Sequence, residues 1–320
     1  MYNNGFVNHI YVDGTPKQTE FKLNKRDSVW LQNNPAPVNI AYAHEVNDFA
    51  ILPLGAIEQH AAHCPTGMDS FNAIGLAEKV AERTGATVLP CPMYGGHPYM
   101  HMGVPGTIPL NYETNIALIH DIIHGAAQIG FNKFLLLVAH GADSSFITAV
   151  HKCGLEGYFT VAATWYDFLR DNKNILDDFM WHADEAESSM GLSLYPDLMK
   201  MDLAIDGGGT PLEAGKWKMA PGEASHQWQF YHFDGTWAPM EKDDLDYGVI
   251  GNPTKATKEK GDALVEKVVQ GYSDFINEIM AQHPLGKNPL GFRNPCGFNT
   301  APYVTYDKDH DEHGRPLYNK

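Results

Sequence analysis

Hydrophobic and polar positions are organised from residue 49 onward. Residues 1–48 are polar and irregular, with isolated aromatics such as Tyr11 and Trp30. "FAILPLG" is an unbroken apolar run that stops at Gly55, which predicts a buried strand. "FNAIGLAEKVAERTG" carries an apolar stripe at helical spacing and stops at Gly85. "ATVLPCP" predicts a second strand. "NYETNIALIHDIIHGAAQIG" predicts a helix ending at Gly130, with Asn111 or Thr114 as its cap. "NKFLLLVAHG" predicts a third strand, "SSFITAVHKCGLEG" a helix and "YFTVAATWY" a fourth strand. Near the end, "KATKEKGDALVEKVVQGYSDFINEIMAQH" predicts a long helix with Leu264, Val268, Tyr272, Phe275, Ile276 and Ile279 on one face.

Strand and helix alternating at this spacing predict an α/β fold, a mostly parallel sheet with helices on both faces. The expected organisation is an N-terminal extension (1–48), one domain (49–281) and a tail (282–320) rich in Pro, Gly and Asn. The domain carries an insertion at about 205–255, rich in Gly, Pro and aromatics and without a clear period. Loops of that length in compact domains are uncommon and often functional.

Composition narrows the function. A net charge of -16 over 320 residues repels phosphate backbones, so nucleic acid is not an expected partner. No apolar run is long enough to span a membrane, and "MYNNGFVNHIYVDGTPK" lacks the features of a signal peptide. The four cysteines are scattered and form no CxxC pair, which fits a cytoplasmic enzyme with reduced thiols. Motifs for dinucleotides, phosphates, HExxH zinc sites and serine nucleophiles are absent.

The chemistry concentrates after the strands, where open parallel sheets bind ligands. Glu58 and His60 follow the first strand, His97 and His101 the second, His140 and Asp143 the third. "WHADEAESS" adds His182, Asp184, Glu185 and Glu187. Glu58 and His60 alternate by two, so an extended segment turns both to one side. Asp69 lies nine residues past His60, far enough for a loop to fold back and close the set. Mixed imidazole and carboxylate donors suit zinc, manganese or iron. Each histidine alone is as readily a hydrogen-bonded core group. Together, composition and spacing reach a metal hydrolase and stop there. Cys64 reads as a small buried filler, and the tryptophans read as packing.

These stretches also resemble a known family. "LPLGAIEQHAAHCPTGMD", "HMGVPGTIPL", "LLLVAHGAD" and "HADEAESS" are similar, in the same order, to four motifs of the creatininase family. The resemblance covers roughly residues 49–200 and implies a creatininase-like α/β metal hydrolase, often binuclear, in a homo-oligomer, often a hexamer. It implies Glu58, His60, Asp69 and His140 as metal ligands, with Asp69 bridging one or two divalent ions (Zn, Mn or Fe). Glu187 is implied as the remaining ligand or a base, and His182 as a proton shuttle. Creatininase itself has a glutamate ligand two residues after the strand-end histidine, where this chain has Ala142. Glu187 or Asp143 is then the candidate to complete the second site.

The extra length resembles a long-chain branch of the family, the dehydro-inosose hydrolases of cyclitol and sugar catabolism. The expected reaction is opening of a small polar ring at a carbonyl, favoured as C–C hydrolysis of a polyhydroxylated cyclic ketone like 3-dehydro-scyllo-inosose. The alternatives are C–N hydrolysis of a creatinine-like cyclic amide and a non-catalytic binding protein with a degenerate site. His97, His101, Trp228 and His232 are the candidate substrate contacts.

Overall fold

The structure, a computed structural model, describes residues 11–12, 15–16, 25–97, 103–141, 143–169, 174–177, 180–207 and 248–290. Two short antiparallel strands, β1 (Tyr11–Val12) and β2 (Thr15–Pro16), lie near the N-terminus. Helix α1 (Ala36–Glu45) precedes the main sheet. The sheet then builds as β3 (Phe49–Leu54), α2 (Met68–Thr84), β4 (Thr87–Val88), α3 (Tyr112–Ile129), β5 (Lys133–Val138), α4 (Ser145–Leu155) and β6 (Phe159–Thr164). Helices α5 (Glu185–Leu194) and α6 (Lys258–Gln282) complete it.

The strands are parallel, in the order β4-β3-β5-β6. The chain moves from β3 to β4 on one side, then crosses to β5 on the other. The reversal of direction opens a crevice between β3 and β5 at their carboxyl ends, where α/β sheets bind ligands. Register aligns Leu54, Val138 and Thr164 along that edge.

Period-two alternation divides β3 and β5 between two cores. Phe49, Ile51, Leu135 and Leu137 pack with α2, α5 and α6. Ala50, Leu52, Leu54, Phe134, Leu136 and Val138 pack with α1, α3 and α4. Both faces of these strands are covered, which is why their sequences read as continuous apolar runs. On α6, Leu264, Val268, Tyr272 and Ile276 are buried, with Phe275 and Ile279 packed beside them.

Three local expectations change. The stretch before residue 49 is not wholly irregular: α1 follows Pro35 and buries Asn39, Ala41 and Ala43. Strand β4 has only two residues, because Pro90 and Pro92 cannot donate to a ladder. Its outer edge is covered by the 28–30 segment, with Val88 N–H donating to Val29 O at 2.9 Å. Helix α2 starts at Met68, so Asp69 sits in its first turn and not in a returning loop. Asn111 takes the N-cap position of α3 without a side-chain capping bond. Of the 205–255 insertion, residues 208–247 lie outside the described set. Among the described residues, no helix is long and apolar enough to cross a membrane.

The glycine after β3 fixes where α2 begins. A Cβ on Gly55 would overlap the backbone of Ser70 and Asp69. The obstacle is main chain and cannot rotate away. Gly55→Ala is therefore expected to cost about 3 kcal/mol, the upper end for overpacking. It should also displace Asp69. Chemical denaturation and metal content check this; unchanged stability with unchanged metal content would refute the close-approach argument.

Candidate metal centre

Four segments converge on the crevice. After β3 the chain runs extended through Glu58, Gln59 and His60. It is held there by Glu58 N–H to Thr66 O at 2.9 Å, and by Ile108 N–H to Ile57 O at 2.9 Å. Gln59 N–H donates to Thr107 Oγ1 at 3.1 Å, so the "PGT" segment fastens this loop. After β5, Ala139 N–H continues the ladder to Leu54 O at 2.8 Å, and His140 follows. Asp69 arrives on the first turn of α2 and Glu187 on the first turn of α5.

Glu58, His60, Asp69, His97, His140 and Glu187 are all buried. His140 Nδ1 lies 3.0 Å from Glu58 Oε2 and 3.1 Å from Asp69 Oδ2. His60 Nε2 lies 3.3 Å from Asp69 Oδ1 and 3.6 Å from Glu187 Oε2. The two oxygens of Asp69 thus face two different imidazoles. Donor atoms fall within 4.8 Å of one another in three groups: His60, Asp69 and Glu187; Glu58, His97 and His140; and Glu58, His60 and His182.

Three buried carboxylates in one cluster need positive charge close by, because burying an uncompensated charge is costly. The imidazoles respond. Burial disfavours the His60 imidazolium, yet Asp69, Glu187 and Glu58 together outweigh it and push its pKa up to about 10. His140 is likewise raised against burial, by Glu58 and Asp69. Burial raises Glu187 well above the usual carboxylate range, with Asp184 and Asp69 adding to it and His60 opposing. Burial also works against the Asp69 carboxylate, but His60 and His140 hold its pKa down. Divalent cations would meet the same demand for charge. His60 Nε2 and Asp69 Oδ2 are buried and make no well-formed hydrogen bond that would compete. The donor set, nitrogen and carboxylate oxygen, fits zinc, manganese or iron.

The "WHADEAESS" stretch separates by role. Asp184 caps α5, accepting from Glu187 N–H at 2.9 Å and from Trp181 N–H. Glu185 pairs with Lys260 of α6. Glu187 turns into the cluster and accepts from Ala183 N–H at 2.7 Å. His182 is the half-buried member, with its ring 4.4 Å from that of His60. Its backbone forms an antiparallel bridge to Ile250, just beyond the insertion. Its Nε2 lies 2.9 Å from both the Gln59 carbonyl and the Gln59 side-chain nitrogen. Gln59 Oε1 accepts from Ala61 N–H at 3.1 Å, which points the amide nitrogen at His182. Ala61 and Ala183, beside these histidines, have φ of 57° and 48°, strained values for residues with a Cβ.

Some expectations are redirected. Asp143 lies outside all three donor groups, because hydrogen bonds to Gly96, Asn115 and Ser145 engage both its oxygens. His97, expected as a substrate contact, lies with Glu58 and His140. His63 is buried with Nε2 2.9 Å from Ser188 Oγ, and burial together with nearby His60 lowers its pKa to about 4. It stays neutral as a support beneath His60. The sequence gave no sign of Gln59's contact with His182, because an amide carries no titration signal. His101, Trp228, His232 and Ala142 lie outside the described residues.

A doubly wound sheet with imidazoles and carboxylates gathered at its switch point defines an α/β protein with a candidate hydrolytic metal centre. The chain belongs to the creatininase family, whose model, described as creatinine amidohydrolase, matches residues 38–276. It is 32% identical over 260 residues to the 3-dehydro-scyllo-inosose hydrolase of Thermotoga maritima, covering 76% of this chain and 81% of that one. It is 28% identical over 248 residues to the creatinine amidohydrolase of Pseudomonas putida, covering 71% and 88%. A manganese creatininase structure matches the fold with a TM-score of 0.63 at 24% identity, over 80% of this chain and 99% of that one. Other creatininases were solved in a Zn–Zn form. The family and its named members make this chain a hydrolase, and the degenerate, non-catalytic alternative falls away.

Proposed function

We propose that the chain is a divalent-metal-dependent hydrolase that opens a polyhydroxylated cyclic ketone by C–C cleavage, acting in cyclitol or sugar catabolism. The observation that carries the metal reading is Asp69, whose two oxygens face His60 and His140 separately. In this reading Glu58, His60, Asp69, His140 and Glu187 hold two cations, with Asp69 between them. The identity to the Thermotoga hydrolase supports the substrate class. The identity to creatinine amidohydrolase favours a second reading, C–N cleavage of a cyclic amide. Ala142, standing where creatininase has a ligand, weighs against that second substrate.

Cations held there would activate a water and polarise the substrate carbonyl. The chain's own residues supply the remaining steps. Water adds its oxygen to the carbonyl carbon, which becomes a carboxylate. The ring bond breaks, and its electron pair stays on a carbon flanked by a second carbonyl. His182, partly open to solvent and fixed by Gln59, returns the proton to that carbon. Residues 49–281 form the catalytic domain, and a homo-oligomer in the cytoplasm completes the proposal.

Elemental analysis with a substrate panel tests this. We expect stoichiometric metal, loss of turnover on chelation, and turnover of 3-dehydro-scyllo-inosose well above that of creatinine. One labelled oxygen from water should enter the product. Metal-free protein that is fully active would end the metal reading. A preference for creatinine would move the substrate to the cyclic amide.

A further inference from the structure

We propose that His97 is a cation ligand on the Glu58 side of the centre, and that Asp143 is the positioning residue that holds it there without binding a cation itself. This deepens the two-cation reading above and rests on it. His97 is 1% exposed, deeper than a residue serving only an incoming substrate need be. Its donor atom lies within 4.8 Å of those of Glu58 and His140, and its ring centroid is 4.4 Å from that of His140. Two imidazoles and a carboxylate around one point make an ordinary ligand set for a divalent transition metal.

The path of the chain shows what aims His97. The preceding residue, Gly96, donates its N–H to Asp143 Oδ2 at 3.0 Å. The same oxygen accepts from Asn115 Nδ2 on α3 at 2.7 Å. Asp143 Oδ1 accepts from Ser145 N–H at 2.8 Å and from Ser145 Oγ at 2.5 Å. Four donors fill the accepting capacity of one carboxylate, leaving nothing for a metal. Position 96 has no room for a side chain, since a Cβ would lie 2.8 Å from Asp143 Oδ1 and 2.9 Å from Tyr112 Cδ1. Asp143 also follows His140 by three residues. One carboxylate therefore ties together the two segments that carry the imidazoles on either side of Glu58.

The acid is needed as an acid. The commoner family pattern has Asn where this chain has Asp143. An amide there would turn its NH2 toward either Gly96 N–H or Ser145 N–H, and neither backbone donor can rotate away. Asp143→Asn should thus break one arm of the clamp while changing almost no volume.

Affinity for Zn²⁺ and for Mn²⁺, measured on the full chain by chelator competition, is the readout. Wild type, His97→Ala, His97→Gln, Asp143→Asn and the Ala/Asn double variant are compared, with circular dichroism confirming that each is folded. Asp143→Asn is expected to weaken one cation per chain by roughly 10–100-fold, the range for partners that orient a ligand. His97→Ala should weaken the same cation at least as much, and His97→Gln should not restore it. The double variant should be no weaker than His97→Ala, because the two residues act as one unit. Wild-type affinity in folded His97→Ala or His97→Gln would overturn the proposal. So would an additive loss in the double variant, which would make Asp143 a general support. Wild type that holds no cation would overturn the two-cation reading itself, a result distinct from cations held with unchanged affinity.

Discussion

Asp69→Ala is expected to leave the protein folded, without stoichiometric metal and without measurable turnover. Asp69 is the one carboxylate whose two oxygens face separate imidazoles, His60 at 3.3 Å and His140 at 3.1 Å. Removing it takes a ligand from both halves of the centre at once. It also removes the negative charge that balances those two histidines, leaving Glu58 and Glu187 too far apart in role to gather two cations. Loss of cation-based stabilisation at the reacting carbonyl alone accounts for a fall of at least ~10³-fold in turnover. Asp69→Asn separates the functions. Its single carbonyl oxygen can still serve one half, so about one cation per chain should remain, with turnover nearly as low as in the alanine variant. Elemental analysis of both proteins beside wild type decides the matter. Two tightly held cations in Asp69→Ala would sink the bridging role.

The framework of this centre was legible in the sequence where its physics is local and one-dimensional. Strands β3 and β5 are buried on both faces, so their apolar runs announce them, and the polar residues just beyond each run fall at the carboxyl edge. Helix α1 was hidden because the face it buries is made of Asn39, Ala41 and Ala43, which leave no hydrophobic stripe. Strand β4 was overestimated because apolar content says nothing about missing N–H donors at Pro90 and Pro92. Within the site, equal residue types concealed unequal work. Asp184, Glu185 and Glu187 are acids within four positions, and only three-dimensional neighbours show one to be a cap, one an ion-pair partner and one a member of the cluster. Asp143 misled for the same reason: a carboxylate beside a ligand histidine can be used up by main-chain donors.

His182→Ala is expected to keep both cations and the fold, and to lose about 10²–10⁴-fold in turnover, the usual share of a positioned acid or base. The fold should survive because what ties this residue to Ile250 is backbone, with Ile250 N–H donating to His182 O at 2.9 Å. Truncating the side chain leaves that bridge intact. Metal should survive because His60, Asp69 and Glu187 form a donor group without His182. The loss should fall on turnover and leave KM nearly unchanged, since the missing group moves a proton and does not grip the ring. Gln59→Leu then isolates the positioning contribution. The imidazole remains, but the amide nitrogen 2.9 Å from its Nε2 is gone, so a smaller loss of about 10-fold follows from one hydrogen bond of ordinary net strength. Steady-state kinetics with metal analysis on both variants check the ordering. Should His182→Ala lose metal, the residue is a ligand, as its place in the group with Glu58 and His60 also allows geometrically. Should it keep both metal and full turnover, the proton must reach the leaving carbon by another route, for which Glu187 on the first turn of α5 is the remaining acid of the same stretch.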